Sequence, residues 1–196
     1  MAGNPERRAA LVDAGVEVLA REGARGLTFR AVDAEAGVPV GTASNYFTGR
    51  DDLLRQIDTR LHVRLAPDQE LIAGLMTRPK DRSLVAAFMH DLMARATRDR
   101  TGYLALLEMR LEANRRPGLR SSFTKSVRGD LEEGMEFHRA AGLPGGDEIV
   151  TVLYLAMLGL LLEHLTLPDV LDGVLPGVSV PDGLVERIVE TVVPEG

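Results

Sequence analysis

An all-α fold is predicted by three observations. The composition is 45% hydrophobic but only 4% aromatic, which suits aliphatic helix packing better than a β-sandwich. Apolar residues recur at helical spacing in several separate stretches, and glycine and proline interrupt those stretches where helices would have to end. At 196 residues the chain is long enough for one sizeable core or two small ones. It contains no cysteine, so disulfides, thiolate metal sites and cysteine nucleophiles play no part, as suits a reducing compartment. No export signal is expected at the N-terminus, because Asp13 and Glu17 interrupt the apolar region such a signal needs. A cytoplasmic protein is expected.

A first helix is expected over 5–22. Thr28 is a good N-cap for the next, its side-chain oxygen serving backbone N–H groups that otherwise lack partners, and Val32 and Ala36 then recur at helical spacing. Gly37 permits a tight inter-helix turn, Val38 plugs the angle between two helices, and Pro39 ends one helix while suiting the first turn of another. The spacing predicts a second short helix over 40–46, so that 28–50 reads as a helix-turn-helix. Uncharged from Val40 to Asn45, with Gly41, Thr42 and Ser44 between, this helix could approach base edges closely in a major groove. Tyr46 and Arg50 flank it as natural phosphate contacts, and Arg25 and Arg30 add positive charge nearby.

A further helix follows over 51–65. Pro67 and Pro79 bracket an irregular stretch holding one short helix begun by Asp68. From Lys80 a larger domain is expected. Leu84, Val85, Phe88, Met89, Leu92, Met93 and Ala96 mark a helix with one buried face, and another runs over 103–115. Pro117 opens a helix to 141 in which Leu119, Phe123, Val127, Leu131 and Met135 recur every fourth residue, ended by the glycines from Gly142 to Gly146. The stretch 149–162 has fourteen residues without a charge and must be covered on more than one side. A bilayer span needs roughly 20 apolar residues, and Glu163 and His164 close this run early, so no membrane role is expected. Burial by its own domain on one side and by a partner subunit on the other fits better. An amphipathic helix over 181–193 could complete a four-helix bundle across a two-fold axis.

The segment resembles the N-terminal DNA-binding domain of the TetR family, the tetracycline-repressor-like regulators. Thr28, Ala36-Gly37-Val38, Gly41-Thr42, Tyr46-Phe47 and Arg50 match that family's pattern in order and spacing. The resemblance implies a helix-turn-helix domain over 1–50 and a helical effector-binding and dimerisation domain over 51–196, with 51–66 as connecting helix. It implies a homodimer, most often a repressor, on palindromic double-stranded operator DNA. Thr28, Arg30, Tyr46 and Arg50 would position the motif, and Val40, Gly41, Thr42, Ser44 and Asn45 would lie against bases. The dimer would form through Leu153, Met157, Leu161, Leu165 and Ile188. A small apolar or aromatic effector would sit among Phe88, Met89, Met93, Tyr103, Met109, Phe123, Phe137 and Tyr154, where Met and aromatic side chains repack around varied ligands. Two positions depart from the pattern: Asp33 replaces a small apolar residue, and Ala43 a larger aliphatic. Both are expected to soften the motif, by placing a charge near a packed surface and by leaving less volume between helices.

Charge opposes nucleic-acid binding. The chain carries a net −6, and residues 1–60 hold eight arginines against nine acids, so docking must rest on local placement and on two motifs acting together. That acidity favours an alternative, a helical small-molecule binding protein with a vestigial motif. Catalysis has little support. His62, His90, His138 and His164 occur singly, no metal, cofactor or nucleophile motif is present, and the pairs Glu108/Glu112 and Glu132/Glu136 have Arg110, Arg115 and Arg139 beside them.

Overall fold

The computed structural model describes residues 4–195, and their regular structure is entirely helical. The α-helices are α1 (Pro5–Gly26), α2 (Phe29–Glu35), α3 (Arg50–Leu65), α4 (Gln69–Leu75), α5 (Arg82–Arg98), α6 (Arg100–Arg115), α7 (Pro117–Ala140), α8 (Asp147–Thr166) and α9 (Asp182–Val192). Single 3₁₀ turns occur at Ala43–Asn45 and Pro168–Leu171. The chain forms two compact units. One takes the chain up to Ala66 together with Asp99–Ser126; the other takes Pro67–Arg98 and the chain from Val127 onward. Compactness therefore groups α3, α6 and the start of α7 with α1 and α2, unlike a functional division at residue 50.

In the first unit, the Asn4 side chain caps α1 by accepting the Glu6 and Arg7 N–H groups at 2.9 and 3.3 Å. The helix packs against α2, α3 and α6. Leu11, Val16, Leu19, Leu27, Leu53, Leu54, Ile57, Leu61 and Met109 are fully buried there. Each such aliphatic side chain contributes roughly 1.5–3 kcal/mol by leaving water. A Cβ at Gly15 would lie 3.0 Å from Ile57 Cδ1, so α1 and α3 pack closely at that glycine. The regular part of α1 ends where Gly23 turns to φ 67°, ψ −178°, close to the expected end at 22. Two bidentate pairs tie the unit together. Arg60 grips Asp13 at 2.6 and 2.9 Å, and Arg64 grips Asp99 at 2.8 and 2.6 Å. Burial is the largest single influence and pushes the Asp99 carboxyl up, but the Arg64 hydrogen bonds, the Gly102 N–H and the Arg64 charge together outweigh it and hold the group below its ordinary pKa.

In the second unit, Asp68 caps α4 by accepting the Glu70 N–H at 2.8 Å, as its position predicts. Helices α5, α8 and α9 pack around Leu84, Val85, Leu143, Leu153, Val189 and Val193. Gly142 at φ 68° ends the α7 segment, and the buried His138 ring bonds the Pro144 carbonyl at 3.0 Å across that turn.

Helix α8 differs from expectation on two points. At 20 residues it continues past both ends of the uncharged run and so has the length and composition of a bilayer span, a test that the core helix of a soluble protein also passes. Leu153, Met157, Leu161 and Leu165, expected at a subunit interface, are instead buried in the folded chain itself, and Ile188 is half-buried beside the core that holds Leu153. The exposed side carries Val152, Leu155, Gly159 and Leu162, with Leu155 at 59% exposure. Their steps of three and four residues make a stripe one side chain wide along the helix.

Candidate nucleic-acid interface

The helix-turn-helix begins as its sequence dictates. Thr28 Oγ1 accepts the Ala31 N–H at 3.1 Å and caps α2. Gly37 adopts φ 63°, and the chain reverses as the Val38 N–H donates to the Asp33 carbonyl at 3.0 Å. Phe29 and Phe47 stack beneath the motif with ring centroids 6.2 Å apart.

The second element differs from expectation. In place of a helix over 40–46 there is one 3₁₀ turn, Ala43–Asn45. The cause is Gly41, whose φ of 93° lies in the left-handed region and cannot continue a right-handed helix. Ala43 is fully buried and anchors the turn, while Val40 stands 77% exposed at its tip.

The polar side chains of this segment all bond its backbone. Thr42 Oγ1 donates to the Pro39 carbonyl at 2.5 Å, Ser44 Oγ to the Gly41 carbonyl at 2.7 Å, and Asn45 Nδ2 to the same carbonyl at 3.1 Å. Each hydroxyl, and the Asn45 amide oxygen, keeps acceptor capacity for an outside donor. Ser44 and Asn45 are exposed, and Thr42, Gly41 and Tyr46 are half-buried.

Asp33 is almost wholly buried, at 1% exposure, yet it is not strained against an apolar surface. Its two carboxylate oxygens accept the N–H groups of Gly41 and Ala43, both at 2.7 Å. The expectation that this departure softens the motif is therefore reversed. The carboxylate ties the two elements together.

The arginines divide into two kinds. Arg30 is exposed on α2, as is Arg25 ahead of it. Arg8 of α1 lies 5.7 Å from the centroids of both the Tyr46 and Phe47 rings and donates to Gln56 Oε1 at 3.1 Å. Its position could not be read from spacing, because it depends on where α1 crosses the motif. Arg50 turns inward, contrary to expectation. Its guanidinium donates to the Ala24 carbonyl, lies 3.7 Å from Glu112, and has a buried Nε without a partner. Glu112, 6% exposed, also accepts Arg116 at 2.5 Å, and Glu108 accepts the Ala24 N–H at 3.4 Å. The paired glutamates of α6 thus hold the segment that leads into α2. Asp52 closes the loop before α3 by accepting the Thr48 N–H at 3.0 Å, and this backbone hydrogen bond is the main reason its carboxyl stays below its ordinary pKa.

The expected effector-lining residues fall into both units. Tyr103, Met109 and Phe123 are buried in the first, with Arg110 6.0 Å from the Phe123 ring centroid. Phe88, Met89, Met93, Phe137 and Tyr154 belong to the second. There Phe88 meets Phe137 edge-on at 5.4 Å, and Phe137 is 38% exposed. A surface depression of about 360 Å³ between α5 and α9 involves none of them; Asp81, Arg82, Glu186 and Glu190 line it. No group of three or more His, Asp or Glu among the described residues could hold a metal ion.

Two family profiles match the chain. One, described as "Bacterial regulatory proteins, tetR family", covers residues 11–57; the other, "Tetracyclin repressor-like, C-terminal domain", covers 80–195. Similar solved structures include a TetR-family member from Streptomyces coelicolor A3, 27% identical with a TM-score of 0.68, covering 97% of this chain and 99% of that one. The multidrug binding protein EbrR complexed with imidazole is 24% identical with a TM-score of 0.68, over 98% and 93% of the two chains. A transcriptional regulator from Rhodococcus sp. Rha1 is 17% identical with a TM-score of 0.65, over 94% and 92%. At such identities the last two likenesses speak for the fold alone. No curated protein sequence matches the chain.

Proposed function

The chain belongs to the tetR family of bacterial regulatory proteins, and from that premise we propose that it is a homodimeric repressor of a palindromic operator, released by a small-molecule effector. The observation that carries the reading is the recognition turn. Val40, Ser44 and Asn45 project from a hydrogen-bonded turn, uncharged and short enough to approach base edges, with Arg30 and Arg25 exposed nearby. Val40 offers an apolar contact for a thymine methyl, and Ser44 and Asn45 offer hydrogen-bonding groups. Thr28, Arg30 and Tyr46 position the motif on phosphates. Arg50, held by Ala24 and Glu112, supports it from within.

Pairing comes from α8. Its exposed apolar stripe, Val152, Leu155, Gly159 and Leu162, calls for a covering surface, and a second copy supplies one with matching spacing. Two turns held about 34–36 Å apart then meet successive major grooves. The effector is apolar or aromatic, bound in the helical effector domain, where Phe88, Met89 and Phe137 supply an aromatic and thioether surface in the second unit. Support comes from EbrR, whose structure is known complexed with ethidium and with proflavin. The chain has no tryptophan and three tyrosines, so a ligand that fluoresces in the visible can be titrated with little protein background. No cofactor or membrane contact enters this reading, and the protein acts in the cytoplasm.

Selection from random duplex DNA tests it, followed by fluorescence anisotropy on the enriched sequence at several salt concentrations. An enriched palindrome whose binding weakens steeply with salt is the expected result. Failure to enrich any sequence in low salt would transfer the function to ligand binding alone.

A further inference from the structure

We propose that Asp33 is a positioning residue for DNA recognition, its buried carboxylate setting the Gly41–Asn45 turn in the conformation that meets the bases. The inference rests on the DNA-binding reading above.

A carboxylate at 1% exposure is tolerable only if its oxygens are hydrogen-bonded. Asp33 meets that condition with two 2.7 Å contacts to main-chain N–H groups eight and ten residues ahead. Such contacts are the short, charge-assisted kind. The donors, Gly41 and Ala43, stand on either side of Thr42 at the entry to the 3₁₀ turn, where N–H groups have no partner of their own. Asp33 also accepts the Val38 N–H through its main-chain carbonyl, so one residue of α2 fixes both the inter-element turn and the start of the recognition turn.

The consequence passes through one residue, Gly41. The Gly41 N–H is fixed by Asp33, and the Gly41 carbonyl accepts both Ser44 Oγ and Asn45 Nδ2. The side chains assigned to base contact are therefore oriented from the residue that the carboxylate holds. A Cβ at Gly41 would meet nothing within 4 Å, so the glycine serves its φ of 93° and not a lack of space. The small Ala43 side chain lies fully buried next to this arrangement. The two departures from the family pattern thus belong together: hydrogen bonds to a carboxylate do here what a larger aliphatic would do by packing. Because the Gly41 and Ala43 N–H groups are occupied, the turn offers its side chains, not these amides, to DNA.

Asp33→Ala and Asp33→Asn are the variants to compare with the wild type, using the enriched duplex and a panel with single base changes. Asp33→Ala should bind the duplex about tenfold or more weakly, as loss of charged hydrogen bonds implies, and should discriminate less among base changes. Asp33→Asn should fall between, since one of its two terminal groups is a donor facing a donor. Both are read at matched folded fraction by circular dichroism, so that loss of discrimination is separated from loss of fold. Should Asp33→Ala not fold, Asp33→Asn carries the comparison. Amide hydrogen exchange of the wild type tests the clamp itself: Gly41 and Ala43 should be protected. Free exchange at those two amides, or a variant with unchanged affinity and base discrimination, would overturn the proposal. A wild type that binds no duplex while both amides are protected would remove the DNA-binding reading and this role with it, leaving the clamp as a local fact.

Discussion

The recognition turn and the outer face of α8 are both exposed, but they are exposed in different chemical states. In the turn, Thr42, Ser44 and Asn45 each donate to a backbone carbonyl, and the Gly41 and Ala43 N–H groups donate to Asp33. It is a finished surface, its hydrogen bonds already made before anything binds. Helix α8 shows Val152, Leu155 and Leu162 to solvent with nothing over them. It is a surface whose energy is recovered only on covering. The difference teaches how each is to be read. A preformed polar turn adds specificity to whatever brings it to DNA, whereas an uncovered apolar stripe is suited to the association that the proposed dimer requires.

The largest effect should come from the stripe. Leu155→Asp places a charge on the proposed subunit contact and should convert the dimer to a monomer, weakening binding to the palindrome by about 100-fold or more. Sedimentation velocity and anisotropy measure the two consequences. A charge at Leu161, which is buried inside the unit, should unfold the protein instead. Equal behaviour of the two variants would erase the distinction between the two sides of α8.

Next comes Arg50→Ala, which removes the link from α3 to the Ala24 carbonyl and to Glu112. Stability should drop by about 1–2 kcal/mol in urea unfolding, with little change in the salt dependence of duplex binding. A salt slope lower by about one would show that Arg50 leaves its internal site for a phosphate. Gly41→Ala should cost about 1 kcal/mol through its positive φ, and because the strain lies in the turn itself, duplex affinity should suffer with it.

The smallest effect concerns Asp58, buried on α3 with Ser126 Oγ donating to one oxygen at 3.0 Å and the other oxygen lacking a hydrogen bond. Burial pushes its carboxyl above the ordinary 3.8, against the opposing pull of Ser126 and His62. For a group raised in the folded state, the stability it contributes is complete below 3.8 and is lost as pH rises through the elevated value. Asp58→Asn, neutral at every pH, should therefore melt at or above the wild-type temperature at pH 7. That difference should shrink as the wild type is acidified, and a constant difference from pH 7 to pH 3 would contradict the sign.

Much of this was legible in the residues. Caps and breakers located the helices to within a few positions: Thr28 and Asp68 cap where their side chains predict, and the chain breaks at Gly23, Gly37 and Gly142. The second element of the motif is not legible from sequence, because an uninterrupted run of small residues looks helical until Gly41 takes a left-handed φ. The side of α8 left exposed by the fold could not be chosen from sequence, since 149–162 is apolar almost all round and periodicity then selects no face. Asp33 stood out as a departure from the family pattern. Its two donors, however, are backbone groups, and backbone groups leave no mark in the sequence. Arg50 has the same history, its partners being a main-chain carbonyl and a glutamate 62 positions away.

The most direct test joins the two surfaces in one experiment: the sedimenting mass of the protein alone and on its enriched duplex, for the wild type and for Leu155→Asp. Two wild-type chains on one palindrome, and a Leu155→Asp monomer that fails to hold the same duplex, are the predicted results. A wild-type monomer that binds the full palindrome as one chain, with Leu155→Asp binding equally well, would contradict the account.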